Sequence, residues 1–379
     1  MRLKIKFITN ICHHHVIKLF ELLADKYDAE IIFTGGYENY LSSKDKESSS
    51  GNFKARKLNG FFLFPKIKIT LGLFVLFFEK TDVFIKTMDD RFALLCVFFI
   101  SRILRKPLIL WTGIWHHPQT LTHKLTYWLT KFIYKNSDAI ITYGKHVKNY
   151  LVSLGIKEDK IFCAMHSLDN SSFDKYISVE EKNNLKRKLN IENNKIILYV
   201  GRIDKCKGLD YLVDAVSKIK LSNISVLFIG KGEYKDTLEE KCKASKIKYI
   251  FLGYVHNKEL FRYYAIADIF ILPSITTDNF KEPWGLVVNE AMNQGCPAIV
   301  TNAVGAAGGG LVEDGINGII IPEKNSEEIR KAMEKLLTDD KLWRSMAQAG
   351  REKVKEYTPE QTYLCFMQAI DYAVNKTKG

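Results

Sequence analysis

The chain has 379 residues, 46% hydrophobic and 26% charged, long for one domain and apolar enough to give each of two domains a core, which excludes a disordered or fibrous protein. Its net charge of +13 is uneven: residues 1–179 hold 26 Lys/Arg against 16 Asp/Glu, so the basic surplus lies in the first half and suits anionic lipid, polyanionic glycan or nucleic acid, a Lys-rich background with no partner being the alternative. Seven scattered cysteines with no CxxC pair exclude a disulfide framework and read as buried free thiols in a reducing compartment.

MRLKIKFITN reads as a first strand and not as a signal peptide, because its apolar stretch is short and leads into polar residues. HVIKLFELLADKY (15–27) has the period of an amphipathic helix, and AEIIFTG (29–35) is the next strand. SSKDKESSSGN (42–52) has the composition of a mobile loop. FFLFPKIKITLGLFVLFFEK (61–80) is the most membrane-like stretch, but Lys66 and Lys68 interrupt it, so it reads as a buried or interface-touching helix. DVFIK (82–86) is a strand, and RFALLCVFFISRILRK (91–106) an apolar helix packed on a sheet, with membrane-surface contact as the alternative. PLILWTG (107–113), DAIITYG (138–144) and KIFCAMH (160–166) complete the strands of the first half.

DNSSFDKYISVEEKNNLKRKLNIENNK (169–195) is polar, charged and Asn-rich, and is expected to be a linker with a short surface helix in its middle. Six further strands follow: KIILYVG (195–201), ISVLFIG (224–230), KYIFLGY (248–254), DIFILPS (268–274), PAIVTN (297–302) and NGIIIP (317–322). GLDYLVDAVSKIK (208–220) is helical by period, as is the last segment, PEQTYLCFMQAIDYAVNKTK (359–378). Near-continuous β-branched runs separated by helices predict α/β architecture with parallel sheets buried on both faces. Two such series predict two doubly wound domains, 1–175 and 190–358.

The chemistry concentrates in the second half. The strand at 195 ends at Gly201, where backbone can approach a ligand closely. Arg202 offers a planar fork suited to phosphate oxygens and Lys207 adds a point charge; no GxxxxGK[ST] loop is present. Downstream, KEPWGLVVNEAMNQGCPAIVTN (281–302) places Glu282 and Glu290 eight positions apart around a Pro-Trp-Gly turn. The amides of Gly285, Leu286 and Val287 then open a helix that Gly295 stops, which makes an anion site for a diphosphate. Glu282 precedes that helix and Glu290 lies more than a turn inside it, where a carboxylate accepts sugar hydroxyls. Either motif alone also occurs on solvated turns and helices; the conjunction points to a ligand.

Gly201-Arg202 with Lys207, and Glu282-x7-Glu290 in EPWGLVVNEAM, resemble the signature of the retaining GT-B glycosyltransferases called family 4. The resemblance runs from about Lys195 to Thr358 through FIGKGE (228–233), GCPAIVTNAVGAA and EDGINGIII. HSLDNSSF (166–173) is similar to the family's Asn-x-Val-Asp-x-x-x-Phe segment, with His166 in the Asn position. It implies two Rossmann-like domains facing across a cleft, the second holding a UDP- or GDP-sugar, and a C-terminal helix, 359–378, packing back on the first. Arg202 and Lys207 would grip the diphosphate, Glu290 the ribose and Glu282 the donor sugar, with the base near Gly232 and Val255. It implies a retaining, metal-independent hexosyltransferase without cofactor, acting on a glycan or lipid-linked glycan in cell-surface polysaccharide synthesis, in the cytoplasm or at the inner face of the membrane. The alternatives are another GT-B enzyme, such as a sugar-nucleotide epimerase, and a basic membrane-binding module with a vestigial donor pocket.

The family's histidine after the fourth strand of the first domain falls at Thr112 or Gly113, so His116 and His117 are the candidates to face the donor sugar, with surface or structural roles the alternative. His13, His14 and His15 replace the family's glycines after the first strand and are candidates for an acceptor or donor mouth, a metal site being the sharper alternative. Asp89 and Asp90 follow a strand end, where they either touch acceptor or cap the next helix. Zinc spacing, RNA-binding aromatics and helix-turn-helix cues are lacking, so no nucleic-acid partner is expected.

Overall fold

The structure, a computed structural model, describes residues 2–35, 51–64 and 67–378. Most of the Ser/Lys-rich loop expected at 42–52, and Lys66, lie outside the described residues. The chain divides into two compact units, Met1–His117 with Leu121–Leu168 and Pro359–Gly379, and Pro118–Thr120 with Asp169–Thr358.

The first unit is built on β1 (Lys4–Thr9), β2 (Asp28–Phe33), β3 (Lys54–Lys57), a hairpin of β4 (Phe61–Phe64) and β5 (Ile67–Ile69), then β6 (Val83–Thr87), β7 (Leu108–Thr112), β8 (Ala139–Thr142) and β9 (Ile161–Cys163). Its sheet has the order β3-β2-β1-β6-β7-β8-β9, and every pairing is parallel. Successive side chains of a strand face opposite ways. Phe7 therefore joins Trp111 and Phe366 in one core, while Ile8 joins Phe84 and Phe98 in the other. The first core lies under the helices Ile17–Lys26 and Pro359–Lys378, the second under Arg91–Ile103 and Leu121–Asn136. The C-terminal helix is anchored by Phe366, which stacks on Phe7 at 6.1 Å and meets Trp111 edge-on at 5.3 Å. Burying one such ring stabilises by about 1.5–3 kcal/mol. Polar locks add to this: Thr362 donates to the Met165 carbonyl at 3.0 Å and pairs with Ser167 at 2.7 Å.

Two expectations change here. The stretch 61–80 is not a helix but the β4–β5 antiparallel hairpin followed by the 3-10 turn Leu71–Phe77. Pro65 interrupts any helix through this segment, and the β-branched residues after it favour a strand. Strand β3 was not expected at all, since KARK has no apolar period. It pairs along β2, and its Arg56 meets Glu79 at 2.7 Å and Glu30 at 3.0 Å. Charged residues are how an edge strand resists further pairing.

The second unit carries β10 (Lys195–Val200), β11 (Ile224–Ile229), β12 (Tyr249–Gly253), β13 (Ile269–Leu272), β14 (Ala298–Thr301) and β15 (Gly318–Ile321). Their order is β12-β11-β10-β13-β14-β15, again parallel throughout. Helices 209–216, 235–244, 257–266, 287–293 and 305–308 connect them, and 326–338 follows the last strand. In both sheets the chain leaves the central strand in one direction and later returns to its other side. The point of reversal lies between β1 and β6 in the first sheet and between β10 and β13 in the second. Ligands of open α/β sheets bind outside the carboxyl ends of the strands at such a point.

The segment after Leu168 belongs to the second unit: Asn170 donates to the carbonyls of Val354 and Tyr357 at 3.1 and 3.3 Å, and Phe173 is buried. Its helix, Val179–Lys188, opens with a full capping box from Ser178 and Glu181. All seven cysteines are free thiols, four of them buried and three half-buried. Among the described residues no helix is long and apolar enough to cross a membrane.

Candidate active site

The reversal point of the second sheet is lined by the two motifs picked out above. Strand β10 runs into Gly201, whose backbone is held by the Ile229 carbonyl at 2.9 Å. Close packing of neighbouring loops fixes this corner. A Cβ on Gly230 would lie 1.8 Å from the Gly201 carbonyl oxygen, and one on Gly232 would lie 2.1 Å from that of Ile203. Tyr199 donates to the Arg202 carbonyl at 2.5 Å, and the Arg202 guanidinium, half-exposed, pairs with Asp204 at 2.9 Å. A 3-10 turn, Lys205–Lys207, brings Lys207 inward, and Gly208 follows with φ +67°. No other residue fits at 208, because its Cβ would lie 2.0 Å from the Pro273 carbonyl oxygen.

Lys207 meets Glu282 across the end of the sheet, and both side chains are nearly buried. The Ser274 hydroxyl donates to the same carboxylate oxygen at 2.8 Å, and the Lys207 ammonium lies 4.8 Å from the Phe280 ring centre. Backbone holds Glu282 in turn: Gly305 N–H donates to its carbonyl at 3.0 Å, beside the Glu282–Val304 bridge. The turn after it is set by Trp284, 2% exposed, whose indole donates to Asn289 at 2.9 Å. Gly285 has φ +92°. The helix that follows is short, Val287–Asn293; its first bonds run from Val288 to Gly285 and from Glu290 to Leu286, downstream of the amides of Gly285, Leu286 and Val287.

Glu290 lies in the first turn of that helix and not beyond it, because the helix opens one residue later than the sequence suggested. It does not join the Lys207–Glu282 pair. Its carboxylate accepts from the buried Tyr264 hydroxyl at 2.7 Å. Burial pushes its pKa up to about 7, and the Tyr264 hydrogen bond only partly opposes that rise. Gly232 and Val255 follow the ends of β11 and β12, and Val255 is half-buried.

The first sheet's reversal point holds a comparable pair. Lys86, fully buried, bonds the Asp89 carboxylate and donates to the carbonyls of Thr87 and Asp89 at 2.8 and 3.0 Å. The other Asp89 oxygen accepts from the Asn10 amide at 2.9 Å, so it ties the loop after β6 to the loop after β1. Burial works to raise the Asp89 pKa, but the Lys86 charge and these hydrogen bonds leave it below the usual carboxylate range. Asp90 is the helix cap, accepting from Ala93 N–H at 3.2 Å.

The histidines form a ring stack. His166 lies parallel to Tyr143 at 4.1 Å, His15 meets it edge-on at 4.9 Å, and His13 stacks on His15 at 5.3 Å. Burial drives His166 down to about 3 and His15 well below the ordinary range, so both are neutral at physiological pH. Among the described residues no group of three or more His, Cys, Asp or Glu could hold a metal ion. His116 and His117, after β7, differ. His117 Nε2 lies 3.1 Å from the His123 carbonyl and its ring packs on Tyr127 at 4.4 Å. His116 Nε2 is buried and has no hydrogen-bond partner.

Ser274, Phe280, Tyr264 and Lys86 were not anticipated. Ser274 was within reach, since it closes the stretch read as a strand at 268–274. Nothing in the sequence signalled Tyr264, which sits 26 positions from Glu290 on another helix.

Residues 181–353 match the family of glycosyl transferases group 1. That segment contains Arg202, Lys207, Ser274, Glu282 and Glu290. The chain is 31% identical over 235 residues, 60% of its length, to an uncharacterized glycosyltransferase, MJ1607, of Methanocaldococcus jannaschii, and spans 57% of that relative. It is 26% identical over 307 residues to the capsular polysaccharide biosynthesis glycosyltransferase CapM of Staphylococcus aureus, covering 77% of each chain. Among solved structures, Anabaena Alr3699/HepE in complex with UDP and glucose aligns with a TM-score of 0.79 over 97% of this chain and 99% of that one, at 16% identity. That likeness bears out the expected GT-B, two-domain α/β fold.

Proposed function

We propose that this chain is a retaining, metal-independent glycosyltransferase that moves a hexose from a nucleoside-diphosphate sugar to a glycan or lipid-linked glycan of a cell-surface polysaccharide. The observation that carries the reading is the buried Lys207–Glu282–Ser274 cluster at the reversal point of the second sheet. A buried ion pair is costly to desolvate and is often replaceable by apolar residues without loss of stability. Its presence at a ligand-binding position therefore reads as function. The matched segment, the capsular role named for CapM and the UDP and glucose held by HepE support the same reading.

In this proposal the leaving nucleoside diphosphate gains negative charge as the sugar–phosphate bond breaks. The Arg202 fork, the Lys207 ammonium and the amides of Gly285, Leu286 and Val287 oppose that charge. They take the part a divalent metal plays elsewhere. Lys207 keeps donors beyond the one it gives Glu282, so it can serve carboxylate and phosphate together. Glu282, held by Ser274, orients hydroxyls of the donor sugar, and Glu290 accepts from the ribose. Gly232 and Val255 flank the base. Of the two histidines, His116 is the better candidate for catalysis, since its buried Nε2 lacks a partner while His117 is engaged. The acceptor attacks the face the diphosphate leaves, with the departing phosphate oxygen taking its proton.

The test is turnover of UDP-, GDP- and ADP-sugars with lipid-linked glycan acceptors, with and without a chelator, followed by the anomeric configuration of the product. One donor class is expected to turn over, unaffected by chelator and with retention. A donor at one hundred times its dissociation constant should also stabilise the protein by roughly 2.7 kcal/mol. Inversion, or activity lost on chelation, contradicts the corresponding part of the proposal.

A further inference from the structure

The first unit carries an apolar face that its own fold leaves uncovered. On the helix Leu121–Asn136, Leu121, Leu125, Trp128 and Phe132 recur every three or four residues and form one stripe. All four are exposed, Trp128 by 68%, while Ile133 and Tyr134 are the buried side of the same helix. An amphipathic helix in a folded domain normally turns its apolar stripe inward. Lys124, Lys131 and Lys135 run along one flank of the outward stripe at the same period.

Adjoining elements extend the face. On the helix Arg91–Ile103, Phe99 and Ile103 are exposed four residues apart. In β4 Phe62 is 63% exposed, and Phe78, just after the 3-10 turn, is 89% exposed. These elements touch: Phe98 meets Phe132 edge-on at 5.8 Å, Arg91 lies 2.5 Å from His123, and the helix Arg91–Ile103 packs on the 3-10 turn and on β5. The stretches 57–78, 91–106 and 121–136 together hold ten Lys/Arg and no Asp or Glu.

We infer that this face docks the protein on an anionic lipid surface. Its apolar side chains enter the boundary between headgroups and acyl chains, and its lysines and arginines meet lipid phosphates. Apolar stripes flanked by cations, on helices too polar or too short to span, are what an interfacial surface needs. An exposed patch of this extent marks an interaction site. Charge chooses the occupant: Arg102 is met by Asp138 and Lys106 by Asp82, but a second copy seated here would set the flanking Lys124, Lys131 and Lys135 against their own counterparts, whereas an anionic bilayer complements them. The inference rests on this surface alone and holds whether or not the second unit transfers sugar.

The test is flotation of the full chain with phosphatidylcholine vesicles, with and without about 30% phosphatidylglycerol, at about 50 and about 500 mM salt. Binding to the anionic vesicles at low salt is expected, at least tenfold weaker on neutral vesicles or at high salt, with a blue shift of tryptophan emission. Leu125→Asp with Trp128→Asp should weaken binding at least tenfold and leave thermal melting unchanged, because both side chains are exposed. Trp128→Phe should keep binding and lose most of the blue shift. The inference is overturned if the wild type does not float with anionic vesicles at low salt or if the double aspartate variant binds as well. It is also overturned if light scattering finds a dimer that the double variant dissociates. Nucleotide binding, measured on the same samples, reports the second unit separately.

Discussion

Glu290 should couple pH to stability and to ligand binding in opposite senses. Its pKa rises on folding from 4.5 to about 7, because burial removes the carboxylate from water and the Tyr264 hydroxyl repays only part of that. Between those two pH values the folded state holds a proton that the unfolded state has lost. The Glu290 contribution to stability is therefore full below about pH 4.5, falls as pH rises through the window, and is lost above about 7. At 1.36 kcal/mol per tenfold change in proton affinity, the loss amounts to roughly 3 kcal/mol. The ionised carboxylate is the better acceptor for a ribose, so nucleotide-sugar affinity should follow the opposite course, weakening about tenfold from pH 8 to pH 6. UDP-glucose is the suitable probe if the donor base is uridine, since its diphosphate diester does not titrate in this range. Urea denaturation and calorimetry across pH, each compared with Glu290→Gln, isolate this one group from the buried histidines. A wild type and a Glu290→Gln variant with parallel pH profiles in both assays would refute the reasoning.

The Lys207–Glu282 pair should behave as a unit. Lys207→Met alone strands a buried carboxylate and should cost about 3–5 kcal/mol, whereas Lys207→Met with Glu282→Gln should recover most of that loss; additive denaturation energies would contradict the pairing. Gly208→Ala should destabilise the second unit by more than about 2 kcal/mol, since it combines a left-handed φ with a collision at Pro273; an unchanged midpoint in urea would show that the turn relaxes. His116→Ala should lower kcat with little change in donor affinity, and His117→Ala should act mainly on stability; the reverse pattern would reassign the two.

The strands at the centre of each sheet were legible because they are buried on both faces, so their apolar runs are unbroken. Β-branched runs such as KIILYV and ISVLFI have no competing helical reading at that length. Strand β3 escaped because an edge strand of Lys and Arg carries no apolar signal, and its place is fixed by ion pairs to Glu30 and Glu79. The hairpin after it escaped because its apolar density resembles a helix, while Pro65 and the alternation around Lys68 carried the true signal. At the site, Lys207 and Glu282 were picked out for different jobs, and the structure joins them although 75 positions separate them. Their direct pairing was not legible, since spacing shows which side of a sheet a residue reaches but not which neighbour it meets. Tyr264 was invisible for the same reason: its hydroxyl reaches Glu290 only through the packing of one helix beside another.

The central claim is that Arg202 and Lys207 hold a diphosphate in the second unit, and calorimetric titration of UDP, GDP and ADP into the wild type and Arg202→Ala tests it most directly. Arg202 is 53% exposed and its pair with Asp204 is a surface pair, so the substitution should leave melting nearly unchanged. One nucleotide should bind the wild type and lose at least about tenfold in the variant, the worth of a charge-assisted hydrogen bond. Binding of equal strength in both proteins, or none by the wild type, would contradict the account.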